Sequence, residues 1–209
     1  MAPKNKFTRE EMIDAALQVV RAKGIDALTA KALAEELGTS TQPVFTCFGS
    51  MEAVREAVYR AAEQRYDGYE AQGLEDPVPF LRFGTQYIRF AKEEQELYRL
   101  LFLTPLPDGK SGAMEAMQRS RDQLRPLLER IYHLSAGEAD RYFRDLWLVA
   151  HSLATLIVTG GCPYSDEEIG QILTGFSLSV CKAIKEIPGF TAGAFDRDAV
   201  FRELIKQEG

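Results

Sequence analysis

Thr29-Ala-Lys-Ala-Leu-Ala-Glu-Glu-Leu-Gly-Thr-Ser-Thr-Gln-Pro-Val-Phe-Thr-Cys-Phe48 holds two short helical patterns around a tight break. Thr29 is an N-cap residue ahead of Ala30, Leu33, Ala34 and Leu37, which recur at the spacing of one helix face and predict a helix from about Ala30 to Leu37. Gly38 stops that run, since glycine accepts the left-handed backbone that ends a helix. Ser40 is the expected N-cap of the next helix, which reaches about Cys47. A short helix, a glycine-containing turn and a second short helix form a helix-turn-helix unit. Leu28, Leu33, Leu37, Val44, Phe45 and Phe48 are expected to fill a small core around it.

Outward from this unit the chain reads as helix after helix. On the N-terminal side, Thr8-Arg-Glu-Glu11 has the form of a capping box, in which the Thr hydroxyl and the Glu carboxylate each take an orphan amide. Met12, Ala15, Ala16, Val19 and Val20 follow at helical spacing, and Gly24 ends the run. On the other side, Ser50 is placed to cap a long helix through Val54, Val58, Ala61 and Ala62. Asp76-Pro77 predicts another start, ahead of Phe80, Phe83, Tyr87, Ile88 and Phe90. A stretch through Leu97, Leu100, Leu101 and Leu103 ends at the Thr104–Gly109 breaker. Met114, Met117, Leu124, Leu127, Leu128 and Ile131 mark a long helix that Pro126 is expected to kink. Two strongly apolar helices follow, about Ala136–Thr159 and from the Ser165-Asp-Glu-Glu168 capping box to about Lys185. A short terminal helix is expected around Ala194–Lys206. Neither a hairpin signal nor an internal repeat appears. The fold class is therefore all-α, with a three-helix module in residues 1–50 and a larger helical bundle in residues 51–209.

The 209 residues carry 25 basic and 31 acidic side chains, a formal charge of −6 and a pI near 5.1. With 45% hydrophobic and 27% charged residues, the chain is neither a disordered nor a fibrous one. Its acidity excludes nucleic-acid binding through a diffuse basic surface. Three cysteines, an odd number, do not make a disulfide framework, so reduced thiols in the cytoplasm are expected. The start of the sequence shows no apolar signal segment. The long uncharged run between Asp145 and Asp166 is interrupted by His151, Ser152, Thr159, Gly160, Gly161 and Pro163 and reads as buried helix, not as a membrane span. Glu35-Glu36 and Glu93-Glu94 read as solvated faces. No metal-ligand spacing, nucleophile elbow or phosphate loop is present, so neither catalysis nor a cofactor or metal is expected.

The order Ala15-Ala16, Gly24, Thr29, Leu33-Ala34, Leu37-Gly38, Ser40, Val44-Phe45…Phe48 and Ser50…Glu52 resembles the DNA-binding domain of the tetracycline-repressor (TetR) family of bacterial transcriptional regulators. The resemblance implies a recognition helix that presents Thr41, Gln42, Pro43 and Thr46 to base edges in the major groove, with Phe45 also among the expected DNA-binding residues. A Gln at position 42 suits bidentate pairing with adenine. Thr29 and Ser40, at helix N-termini, are expected to meet phosphates, with Lys31 adding a charged contact. Lys4, Lys6 and Arg9 form a basic arm suited to phosphates or a minor groove. Where the family usually has Tyr, this chain has Phe45, and it has Met51 at a usual Lys, so two backbone contacts are lost. Leu146-Trp147…His151-Ser152 is similar to a Trp…His-Gly pattern in one group of the family's C-terminal domains, with Ser in place of Gly.

The remaining helices then acquire expected roles. Phe83, Tyr87, Phe102, Met114, Met117, Trp147, His151 and Thr155 are the expected lining for a small apolar or amphipathic effector. The apolar helices around residues 138–160 and 166–186 are expected to pair with those of a second copy, giving a homodimer on a palindromic double-stranded operator. The implied function is a ligand-responsive transcriptional regulator, more specifically a repressor. The alternative is a helical small-molecule-binding protein whose DNA binding is lost or weakened. Residues 1–52 carry six basic against seven acidic side chains, so most of the acidity lies in the bundle.

Overall fold

Ten α-helices make up the computed structural model, which describes residues 7–74, 79–105 and 109–206; no strand occurs among them. The first, α1 (Arg9–Lys23), begins at the Thr8 capping box. The Thr8 hydroxyl accepts from the Glu11 amide at 3.1 Å, and the Thr8 amide donates to Glu11 Oε2 at 2.7 Å. After Gly24 a single 3-10 turn, Ile25–Ala27, leads to α2 (Ala30–Glu36), where the Thr29 hydroxyl accepts from the Ala32 amide at 3.1 Å. Gly38, at φ +61°, makes the turn to α3 (Gln42–Phe48). Here the expected cap is corrected. Thr41 occupies the N-cap position in place of Ser40, and no side chain caps this helix. Pro43 lies in its first turn and has no amide to offer, which removes one of the donors a capping hydroxyl would use.

The fourth helix, α4 (Met51–Leu74), is capped by Ser50, whose hydroxyl accepts from the Ala53 amide at 3.2 Å. It is followed by α5 (Pro79–Glu93) and the single turn α6 (Gln95–Tyr98). The expected helical stretch past Leu97 continues as a π-helical turn, Arg99–Leu103, closed by the Thr104 amide on the Arg99 carbonyl at 3.0 Å. Then come α7 (Gly112–Tyr132), which keeps Pro126 within its length, and α8 (Ala136–Val158). The Ser165 capping box opens α9 (Asp166–Glu186), and α10 (Arg197–Lys206) closes the series. The Asp76-Pro77 start lies outside the described residues, as does the side chain of Phe80.

The chain divides into two compact units. One contains residues 1–118 and 150–163, the other residues 119–149 and 164–209. In the first, α1 packs on α2, α4 and α6, and α3 packs on α2 and α4. Met12, Ala16 and Val20 from α1, Leu33 and Ala34 from α2, Val44 and Phe48 from α3, and Val54 and Val58 from α4 form its buried N-terminal core. Phe45, expected in that core, is instead 45% exposed. Val44 and Phe48 are four apart and share the inward face of α3, while Phe45 lies about 100° round the helix.

In the second unit Leu124, Leu128, Tyr142, Phe143, Leu146, Trp147, Leu173 and Ile184 are buried. The Tyr142 hydroxyl is hydrogen-bonded to Ser177 Oγ at 2.6 Å. Arg141 holds the segment after α9, donating to the carbonyls of Phe190 and Thr191 with its guanidinium 4.0 Å above the Phe190 ring. Among the described residues no helix is long and apolar enough to cross a membrane.

Candidate functional site

The start of α3 is an open face. Ser40, Thr41, Gln42, Phe45 and Thr46 are all exposed and Pro43 is half-buried. Val44 and Phe48 anchor the opposite side, so the helix is held by its buried pair while its N-terminal residues stay free for a partner. The Thr46 hydroxyl donates to the Gln42 carbonyl at 2.9 Å. Thr29 and Lys31 are also exposed, and Lys31 pairs loosely with Glu35 at 3.8 Å. An exposed i, i+4 pair of this kind is worth only about 0.3–0.5 kcal/mol, so it does not withhold the ammonium group from a phosphate. Arg9 is folded onto the far end of α3. Its guanidinium lies 4.3 Å from the Phe48 ring centroid, and Nη1 donates to the Cys47 carbonyl at 3.5 Å, where the helix dipole favours a cation. Lys4 and Lys6 lie outside the described residues.

A second constellation sits deeper in the same unit. The hydroxyls of Tyr87 and Tyr98 lie 2.9 and 3.0 Å from His151 Nδ1. Tyr98 also reaches Thr155 Oγ1 at 3.1 Å and the His151 carbonyl at 3.3 Å. Burial pushes the His151 pKa below its usual value, so the ring is neutral near pH 7 and one nitrogen is an acceptor. Burial likewise pushes Tyr87 and Tyr98 up, keeping both phenols protonated as donors. Phe102 closes the cluster, 5.5 Å from the Tyr87 ring and 4.9 Å from the Tyr98 ring. Tyr87, Tyr98, Phe102, His151 and Thr155 therefore come together in one cluster. Phe83 and Met117 are buried, and Met114, at the start of α7, is 44% exposed. Trp147 is buried within the second unit.

The least anticipated group is Glu94, which the sequence placed on a solvated face. It is only 3% exposed. Arg21, in the last turn of α1, clasps both its oxygens at 2.6 and 2.8 Å, and Arg65 of α4 donates to it at 2.6 Å. Burying a carboxylate demands such partners, and a two-pronged arginine is the strongest kind. The signal for it was the register. Glu94 is four residues after Phe90 and four before Tyr98, on a stripe that is otherwise apolar. Its neighbour Glu93 does face solvent, where it accepts from Arg89 at 2.8 Å and from the Tyr69 hydroxyl at 2.7 Å. Burial and the Glu93 bond push the Tyr69 phenol up to about 12.

Two family models match the chain. Residues 12–58 match the model described as bacterial regulatory proteins of the tetR family, and residues 80–174 match the tetracyclin repressor-like C-terminal domain. No curated protein matches. Among solved structures, a protein of unknown function from Rhodococcus sp. RHA1 superimposes with a TM-score of 0.69 at 20% identity, over 88% of this chain and 99% of its own. A TetR-like transcriptional regulator from the same organism gives 0.60 at 16% identity, over 83% and 97%. A member of the TetR family from Streptomyces coelicolor A3 gives 0.57 at 21% identity, over 83% and 98%. At these identities the three likenesses bear on the fold.

Proposed function

Because the chain belongs to the tetracycline-repressor family of DNA-binding transcriptional regulators, we propose that it is a homodimeric repressor released from its operator by a small molecule. Residues 1–50 act as the DNA-binding domain and residues 51–209 as the ligand-binding and dimerisation domain. The observation that carries this reading is α3, anchored by Val44 and Phe48 with Thr41, Gln42, Phe45 and Thr46 exposed. Gln42 reads a base edge, Thr41, Pro43 and Thr46 pack in the groove, and Thr29, Lys31 and Ser40 hold phosphates. Lys4 and Lys6 extend the contact along the backbone.

The effector is a small apolar or amphipathic molecule. Phe83, Tyr87, Phe102, Met117, His151 and Thr155 supply an aromatic wall and a few polar handles, the composition of a small-molecule site. Met114 belongs to the same proposed set. Binding shifts α4 and changes the separation of the two recognition helices, which requires that the effector favour one separation over the other. Dimerisation uses α8 and α9, which leave Leu148, Leu156, Phe176 and Leu178 exposed. The protein acts in the cytoplasm, without enzymatic activity.

Mobility-shift titration of genomic fragments, beginning with the region upstream of its own gene, tests the reading. A complex that survives excess competitor DNA is expected, and Gln42→Ala should weaken it by about 1–3 kcal/mol and relax its base preference. The substitutions at Phe45 and Met51 and the near-neutral N-terminal module favour the alternative of a ligand-binding bundle with weak DNA affinity. That alternative gains if no fragment forms a competitor-resistant complex.

A further inference from the structure

We propose that Arg9 is a positioning residue for the recognition helix: from the start of α1 it braces the C-terminal end of α3, so that its charge serves the protein and not the DNA backbone. This inference rests on the regulator reading above for its biological meaning, and it removes Arg9 from the basic arm that the sequence suggested. The Thr8 capping box fixes where α1 begins and makes Arg9 its first residue. From there the guanidinium reaches across to α3. It lies 4.3 Å from the Phe48 ring centroid, and Nη1 makes a long bond, 3.5 Å, to the carbonyl of Cys47, 38 residues away in the chain. The last four carbonyls of a helix have no amide of that helix to accept from, and Cys47 is the next-to-last residue of α3.

The sequence of α3 explains why it needs a brace from outside. The helix has only seven residues, Gln42-Pro-Val-Phe-Thr-Cys-Phe48, and no side chain caps its start. Helices this short are marginal on their own and depend on what they pack against. Val44 and Phe48 supply the inward anchor. The last turn contains no basic residue, although the helix dipole favours a cation there. Gly49, at φ +78°, then turns the chain toward α4. Arg9 brings to that turn the cation that α3 lacks, and its flat guanidinium stacks on Phe48, one of the two anchors. For α1 itself the same charge is misplaced. The first turn of a helix favours anions, and Glu10 and Glu11 stand there. Contact with α3, and not the needs of α1, thus accounts for a cation at position 9. Reading base edges with Gln42 requires a helix held to within about half an ångström, which gives the brace its consequence for DNA.

Bracing and phosphate contact leave different marks on the full-length protein. Hydrogen exchange of the Thr46–Gly49 amides is compared in the wild type, Arg9→Ala and Arg9→Lys, while the Val19–Lys23 amides of α1 report opening of the whole module. Arg9 is exposed, so its replacement leaves the core intact. Arg9→Ala should speed exchange at Thr46–Gly49 by about three- to tenfold, the combined size of an exposed cation–ring contact and a charge at a helix end, with Val19–Lys23 unchanged. Arg9→Lys keeps the charge but not the planar fork and should lie between the two. Binding to a labelled duplex from the region upstream of its own gene is then measured across salt concentrations. Arg9→Ala should bind more weakly than the wild type with the same log–log salt slope, whereas loss of a phosphate contact would make the slope shallower by about 0.9. Unchanged exchange at Thr46–Gly49, equal acceleration at Val19–Lys23, or a slope shallower by about 0.9 each overturns the brace. Absence of duplex binding by the wild type counts against the regulator reading, while the exchange data still decide the brace.

Discussion

His151 gives the interior a pH dependence whose sign follows from its burial. The folded ring titrates below the usual 6.5 because desolvation disfavours the imidazolium. As pH falls, the unfolded chain takes up its proton first, so this residue leaves stability unchanged above about pH 6.5, lowers it as pH drops through that value, and stops once the folded ring is also charged. Three carboxylates are kept ionised below the usual 4.5, Glu93 chiefly by Arg89, Glu138 by the Ser135 amide and Glu168 by the Ser165 amide, so their own losses come at lower pH. Urea midpoints measured at about pH 7.5 and about pH 5.5 should therefore fall more for the wild type than for His151→Gln. Equal falls in the two proteins would show that the imidazole is not kept neutral by its surroundings.

Two glycines within helices make opposite predictions from the same change. At Gly112, the first residue of α7, a Cβ would lie 2.2 Å from the Leu101 carbonyl oxygen in the π-helical turn and 3.1 Å from the Tyr59 hydroxyl. Replacing it with Ala gains up to about 1 kcal/mol of helix propensity, but a backbone oxygen cannot swing aside, and overpacking costs about 1–3 kcal/mol. Gly112→Ala is expected to lower the urea midpoint. Gly68, exposed in α4, has nothing within 4 Å of such a Cβ. Gly68→Ala should raise the midpoint, by about 0.5–1 kcal/mol in stability. If both variants moved in one direction, close approach would not be the deciding factor.

The elements most legible in the sequence were those set by local bonds. Thr8, Thr29, Ser50 and Ser165 all cap the helices assigned to them, because an N-cap bond spans only two or three residues. Ser40 was misplaced because three hydroxyl residues, Thr39, Ser40 and Thr41, stand in a row and Pro43 withholds an amide. The inward phase of α3 was readable from Val44 and Phe48, and Phe45 was wrongly added to it by hydrophobicity alone. The meeting of Tyr87, Phe102, His151 and Thr155 followed from stripes on separate helices. The Glu94 clamp could not be read from pairs of neighbouring residues, since Arg21 and Arg65 come from far along the chain. Only its place on the apolar stripe marked it.

The net charge of −6 sets how such a chain engages DNA. With six basic and seven acidic side chains in residues 1–52, few phosphates are neutralised by each copy. The affinity for a specific site should fall only gently with salt, with a log–log slope well short of the roughly −9 expected for ten neutralised phosphates. Titrations by fluorescence anisotropy across a range of salt concentrations measure this slope. A value that steep would mean that cationic contacts dominate, contrary to an interface built on base edges, helix N-termini and a short basic arm.

Genome-wide footprinting of the purified protein bears most directly on the claim that α3 serves as a recognition helix in a twofold dimer. The account predicts a small number of discrete protected sites, each with twofold sequence symmetry and half-site centres about one helical turn apart, roughly 34–36 Å, or a multiple of it. Protection that is absent, or spread evenly without regard to sequence, would contradict it.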